Sequence, residues 1–130
     1  MIQLVYISSA TESLGSGEVF KIIEKSAKNN KPAGLTGFLI FANGRFFQVI
    51  EGCSVEIDAL MRKLQSDHRH HSIEILDRSP INHRSFPNWR MKRIAVPEGK
   101  PGLEELIPEL ADASETIRKA ASDFLGLELA

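Results

Sequence analysis

At 130 residues the chain has the size of one domain with a sizeable core, and 42% hydrophobic with 25% charged residues is the balance of an ordinary soluble globular protein. A net charge of −1 gives no electrostatic case for nucleic acid or an anionic membrane. The single cysteine, Cys53, excludes an internal disulfide and fits a reducing compartment. No apolar run reaches the roughly 18 residues that span a bilayer, and the apolar start lacks the basic region and cleavage site of a signal peptide, so the expected location is cytoplasmic.

Ile2 to Ser8 alternates as a strand, with Ile2, Leu4, Tyr6 and Ser8 on one face and Gln3, Val5 and Ile7 on the other. Both faces are mostly apolar, which places the strand inside a sheet. Ser9 to Gly17 reads as a loop, followed by a helix over Glu18 to Asn30 whose stripe is Val19, Ile22, Ile23, Ser26, Ala27 and Asn30. Pro32 stops that helix.

Phe38 to Gly52 organises the chain. Asn43-Gly44 between two apolar runs is a strong hairpin signal, because both residues accept the positive φ of a type I′ turn. A two-residue turn sets Ala42 against Arg45, Phe41 against Phe46, Ile40 against Phe47 and Leu39 against Gln48. Leu39, Phe41, Phe46, Gln48 and Ile50 then share one face, and Phe38, Ile40, Phe47 and Val49 the other. Two apolar faces predict a central hairpin covered on both sides. Gln48 breaks the pattern: an amide buried there without a partner would cost about 1–3 kcal/mol, so a polar group is expected to meet it.

Gly52-Cys53-Ser54 ends the hairpin, with Ser54 as the expected N-cap of a helix over Val55 to Ser66 that buries Ile57, Leu60, Met61 and Leu64. Asp67 to His71 reads as a polar connection, Ser72 to Leu76 as a fourth strand running toward Pro80, and Trp89 to Val96 as a fifth. Pro97 to Gly102 is a linker. Beyond it, Leu103 to Leu110 and Ala113 to Leu127 read as amphipathic helices, with Leu106, Ile107, Leu110, Ile117, Ala121, Phe124 and Leu125 available to cover an apolar patch.

The order βαββαββ predicts a ferredoxin-like α+β fold built on the split βαβ unit: a five-stranded mixed sheet, two helices on one face, and C-terminal helices on the other. The division is residues 1–96 as a binding domain and 97–130 as linker and helical cap. In this topology the first and third strands are neighbours, so Tyr6, the sole tyrosine, lies beside Gln48. One reading is that the two satisfy each other in the core; another is a phenol–amide pair that can switch partners.

Tyr6-Ile-Ser8, Asn29-Asn30 with Gly34-Leu-Thr-Gly37, Phe46-Phe-Gln48-Val-Ile-Glu51-Gly52, Asp67-x-Arg69-His70 and Phe86-Pro-x-Trp89-x-Met91 resemble the blue-light-using-flavin (BLUF) photoreceptor domain, in that family's order and approximate spacing. The resemblance implies a flavin between the two helices with its ring edge toward the sheet: FAD, with FMN and riboflavin left open. It implies Tyr6 as electron and proton donor, and Gln48 as the bridge from Tyr6 to the flavin N5 and C4 carbonyl side. Asn30, with Asn29 beside it, would bond the pyrimidine edge. Ile22, Ile23, Phe46 and Leu64 would wall the ring, and Ser26 would touch it. Asp67, Arg69 and His70 would lie toward the ribityl chain and phosphate, and Trp89 and Met91 would exchange places near Gln48 as the signal leaves.

The expected function is therefore a short stand-alone blue-light sensor and not an enzyme. The residues after Val96 are too few for a cyclase or phosphodiesterase domain, so the signal is expected to pass to a protein partner or through a homo-oligomer. No metal site is expected: the Asp67–His71 cluster lacks the helical i, i+4 histidine pair and carboxylate of a zinc site. Cys53 has no adjacent His or Lys to make it a nucleophile. The competing reading is a flavin-free protein- or RNA-binding module on the same fold, since Gly44-Arg-Phe-Phe-Gln-Val-Ile loosely echoes an RNA-stacking strand.

Overall fold

The structure is a computed structural model and describes residues 1–10, 21, 34–42, 45–66, 70–89, 92–95 and 113–126. Its elements are β1 (Ile2–Ala10), β2 (Thr36–Ala42), β3 (Arg45–Gly52), α1 (Ser54–Gln65), β4 (His70–Pro80), β5 (Lys92–Ala95) and α2 (Glu115–Leu125). The helix expected over Glu18 to Asn30, the connection at Asp67 to Arg69 and the helix expected over Leu103 to Leu110 lie outside the described residues.

Strands β4, β1, β3 and β2 pair antiparallel in that order, and the short β5 adds parallel to β2. This is the ferredoxin-like α+β arrangement expected, with β1 beside β3. The β2–β3 register has Ala42 opposite Arg45, Ile40 opposite Phe47 and Leu39 opposite Gln48, as a two-residue turn dictates. From Phe46 to Gly52 the whole of β3 is buried, because apolar side chains leave it on both faces.

The two faces form two cores. On the inner face Leu4, Tyr6, Leu35, Leu39, Phe46 and Ile50 pack against Ile57, Leu60, Met61 and Leu64 of α1. On the outer face Val5, Phe38, Ile40, Phe47 and Val49 pack against Phe86 and against Ile117 and Ala121 of α2, with Phe124 and Leu125 alongside. The C-terminal helix thus covers the face opposite α1. Burying each large apolar side chain contributes roughly 1.5–3 kcal/mol.

Several boundaries differ from the sequence reading. Helix α1 starts one residue early: Cys53, in extended conformation, is its N-cap and makes no side-chain cap bond, so Ser54 is not the cap. Strand β4 begins at His70 rather than Ser72, because antiparallel pairing with β1 runs from Ala10↔His70 to Ile2↔Pro80 and recruits the histidines into the ladder. Strand β5 is described over Lys92–Ala95. Trp89 precedes it in an irregular segment, where its carbonyl accepts a 2.8 Å bond from the N–H of Gly37. Helix α2 is capped by Ser114, whose hydroxyl accepts from the Ile117 N–H at 3.3 Å, and ends at Gly126 in the left-handed region.

Candidate functional site

The inner face is the place where the sequence put a polar pair in apolar surroundings. Tyr6 and Gln48 are direct cross-strand partners between β1 and β3, and Leu39 flanks Gln48 from β2. Directly opposed residues carry their side chains on one face with Cβ atoms about 5 Å apart. Both are fully buried. Burial pushes the Tyr6 phenol well above its ordinary value near 10, since the phenolate would lose its water. The phenol is therefore held as an O–H, and the amide beside it offers two donors and an acceptor. Such a pair can exchange hydrogen-bond partners without moving charge through the core.

Phe46 and Leu64 belong to the same inner cluster as Tyr6, one from β3 and one from α1, and Gln48 is the cross-strand partner of Tyr6. Trp89 is placed elsewhere. Its ring packs on the outer face, against Phe38 at 5.8 Å and stacked on Phe86 at 5.3 Å, across the sheet from Gln48. His70 opens β4 opposite Ala10. Ile22, Ile23, Ser26, Asn29, Asn30, Asp67, Arg69 and Met91 lie outside the described residues.

Two positions that the sequence reading quoted within motifs but gave no role carry weight. Gly37 is held at φ +137°, where a Cβ would lie 1.9 Å from the Val49 carbonyl oxygen, so the approach of β2 to β3 at this point requires glycine. Glu51 is fully buried at the end of the outer face and accepts bonds from Gln3, Thr36, Ser85 and Phe86. The available signal was a carboxylate following Phe47 and Val49 on an apolar stripe.

An open cleft of about 460 Å³ lies on the outer side, between α2 and the sheet, lined in part by Ile7, Arg45, Lys119, Asp123 and Phe124. It does not adjoin the Tyr6–Gln48 pair. The inner face instead joins apolar side chains on β1, β2, β3 and α1 to one buried amide and one buried phenol, the mixture of apolar walls and a few polar groups that ligand sites use.

Residues 1–92 match the family model described as BLUF, sensors of blue light using FAD. The chain belongs to the BLUF family. It is a blue-light sensor domain, and FAD is the chromophore by which the family is defined. That membership overturns the flavin-free binding-module reading. Over 92 residues, 69% of this chain and 9% of the relative, it is 33% identical to the photoactivated adenylate cyclase subunit alpha of Euglena gracilis. The chain thus spans about a tenth of the length of the curated relatives it matches.

Among solved structures, a bacterial light-regulated adenylyl cyclase is 36% identical with a TM-score of 0.66, covering 95% of this chain and 35% of that one. The dark-state structure of BlrB, a BLUF protein, is 29% identical with a TM-score of 0.69, covering 96% of this chain and 95% of that one. Among the described residues no helix is long and apolar enough to cross a membrane.

Proposed function

We propose that this BLUF domain senses light through Tyr6 and Gln48 and passes the change to another protein, without catalysing a reaction of its own. The observation that carries the reading is the fully buried cross-strand pair of Tyr6 and Gln48 on an otherwise apolar face. Bound FAD supplies the blue absorption and the capacity to take up an electron and a proton. Tyr6, kept as a phenol by burial, holds the proton and the electron to be given. The Gln48 amide has both an acceptor and donors, so with a partner on either side it could settle in a second arrangement once the proton has moved. Such a switch requires the two arrangements to lie within a few kcal/mol of each other.

Phe46 and Leu64 support a ring-binding wall by their place in the inner cluster. Ile22, Ile23 and Ser26 complete that wall in this proposal, Asn29 and Asn30 hold the pyrimidine edge, and Asp67, Arg69 and His70 receive the ribityl chain and phosphate. Trp89 and Met91, with the C-terminal helix, form the outward route. The relatives couple the same domain to an adenylate cyclase; here the partner is a separate or attached protein in the cytoplasm, met through the α2 side or as a homo-oligomer.

The test is an absorption spectrum before and after blue light, followed by mass identification of the released chromophore. A yellow protein whose flavin band shifts reversibly is expected. A colourless preparation that also fails to take up added FAD would overturn the reading.

A further inference from the structure

Glu51 ties a polar knot at the end of the outer face that the light-sensing role does not use. Its Oε2 accepts from Gln3 Nε2 at 3.0 Å and from the Ser85 N–H at 2.7 Å, while its Oε1 accepts from the Phe86 N–H at 2.9 Å and from Thr36 Oγ1 at 3.3 Å. Arg84 closes the knot by donating to Thr36 Oγ1 at 2.8 Å and to the Glu51 backbone carbonyl at 3.0 Å. Four donors from three separate segments thus converge on two oxygens. Two of the four donors are the Ser85 and Phe86 N–H groups, so this side chain ties the 84–86 segment to the sheet.

That segment then delivers the aromatic lid of the outer face. Phe86 and Trp89 stack at 5.3 Å with planes 16° apart, and both meet Phe38 edge-on, at 5.1 and 5.8 Å. The far end of the segment is pinned by the bond from Gly37 N–H to the Trp89 carbonyl. Glu51 lies three residues beyond Gln48 on the same strand, and the alternation of β3 sends the two side chains to opposite faces. A displacement of β3 at Gln48 therefore reaches Glu51 along one short stretch of backbone, and the segment bonded to Glu51 must follow.

We propose that Glu51 is a positioning residue whose carboxylate seats the 84–89 segment, and with it Trp89, on the outer face and couples that segment to the state of Gln48. The coupling rests on the photoreceptor reading above; the seating does not. The acceptor must be a carboxylate because only lone pairs face the four donors. Glu51→Gln is nearly isosteric, yet it turns one acceptor into an NH₂ aimed at donors, so at least one of the Ser85 and Phe86 N–H groups is released.

Trp89 is the sole tryptophan, so the full chain with bound flavin, grown on 5-fluorotryptophan, gives one fluorine NMR resonance. In the parent protein that resonance stands away from the unfolded-chain position in the dark and moves on blue illumination. In Glu51→Gln the dark resonance shifts toward the unfolded-chain position and its light response is lost, while the light-induced shift of the flavin band is retained. Thr36→Val keeps the branched shape but removes one donor and the Arg84 bridge; it moves the resonance in the same direction by less, and decides the matter if Glu51→Gln fails to fold. An unchanged dark resonance in the variants would overturn the seating. A light response that survives in Glu51→Gln, or is missing from the parent protein despite a flavin shift, would overturn the coupling. Absence of any flavin shift in the parent protein is failure of the photoreceptor reading, and the dark comparison still judges the seating.

Discussion

Replacing Gly37 by alanine tests the geometry that joins the hairpin to the Trp89 segment. The added Cβ would meet the Val49 carbonyl oxygen at 1.9 Å and its carbon at 2.8 Å. Both obstacles are backbone of the strand that carries Gln48, so no rotamer change relieves them. Holding a Cβ-bearing residue at φ +137° costs on the order of 1–3 kcal/mol. Prising β2 from β3 weakens ladder hydrogen bonds at about 1 kcal/mol each. The sum is a destabilisation of about 3 kcal/mol or more. For a domain of this size 1 kcal/mol moves the midpoint by about 4 °C, so the thermal midpoint should fall by about 12 °C. Circular dichroism melting of the flavin-bound protein reads this directly. A midpoint within about 2 °C of the parent would refute the claim that glycine is required here.

Tyr6→Phe should keep the flavin and the fold but abolish the reversible spectral shift; an unaltered photocycle would remove Tyr6 as donor. Gln48→Leu should stay folded and yet lose the light-induced shift; a normal shift would show that the amide is not the switch. The folded pKa of Tyr6 is raised above the unfolded value near 10, so the folded state keeps a proton that the unfolded state gives up. Its stability contribution is whole below pH 10 and declines as the pH rises beyond it. The single tyrosinate absorption band should therefore grow in together with unfolding, and a midpoint near pH 10 in a folded protein would contradict the burial argument. Ser114→Ala should cost about 1 kcal/mol through the lost cap of α2. Removing residues 113–130 should bare Val5, Phe47 and Val49 and drive aggregation, which size-exclusion chromatography would report.

The central hairpin was legible because each of its determinants is local: the Asn43-Gly44 turn sets the register, and strict alternation sorts Phe46 and Ile50 from Phe47 and Val49. The neighbourhood of Tyr6 and Gln48 followed from topology, since a split βαβ unit must place β1 beside β3. Boundaries fared worse where pairing overrides local preference. His70 and His71 look like a polar link, yet the β1 partner draws them into β4. Ser54 has the better capping side chain, but the chain is still extended at Cys53 and helical at Ser54. Glu51 was not readable as a clasp, because its donors come from Gln3, Thr36 and the 85–86 backbone, 15 to 48 residues away. Trp89 reads as the start of a strand by residue type; the Gly37–Trp89 bond and the stack on Phe86 instead fix it ahead of β5, on the far side of the sheet.

That location bears on which side chain would give up an electron in the proposed photochemistry. Indole is as readily oxidised as phenol, and tunnelling rates fall steeply with separation. With the only tryptophan behind a layer of peptide backbone, the sole tyrosine stands alone as the aromatic reductant on the face of Gln48. In the proposed photochemistry, Trp89 would therefore have to donate across the sheet, whereas Tyr6 would not.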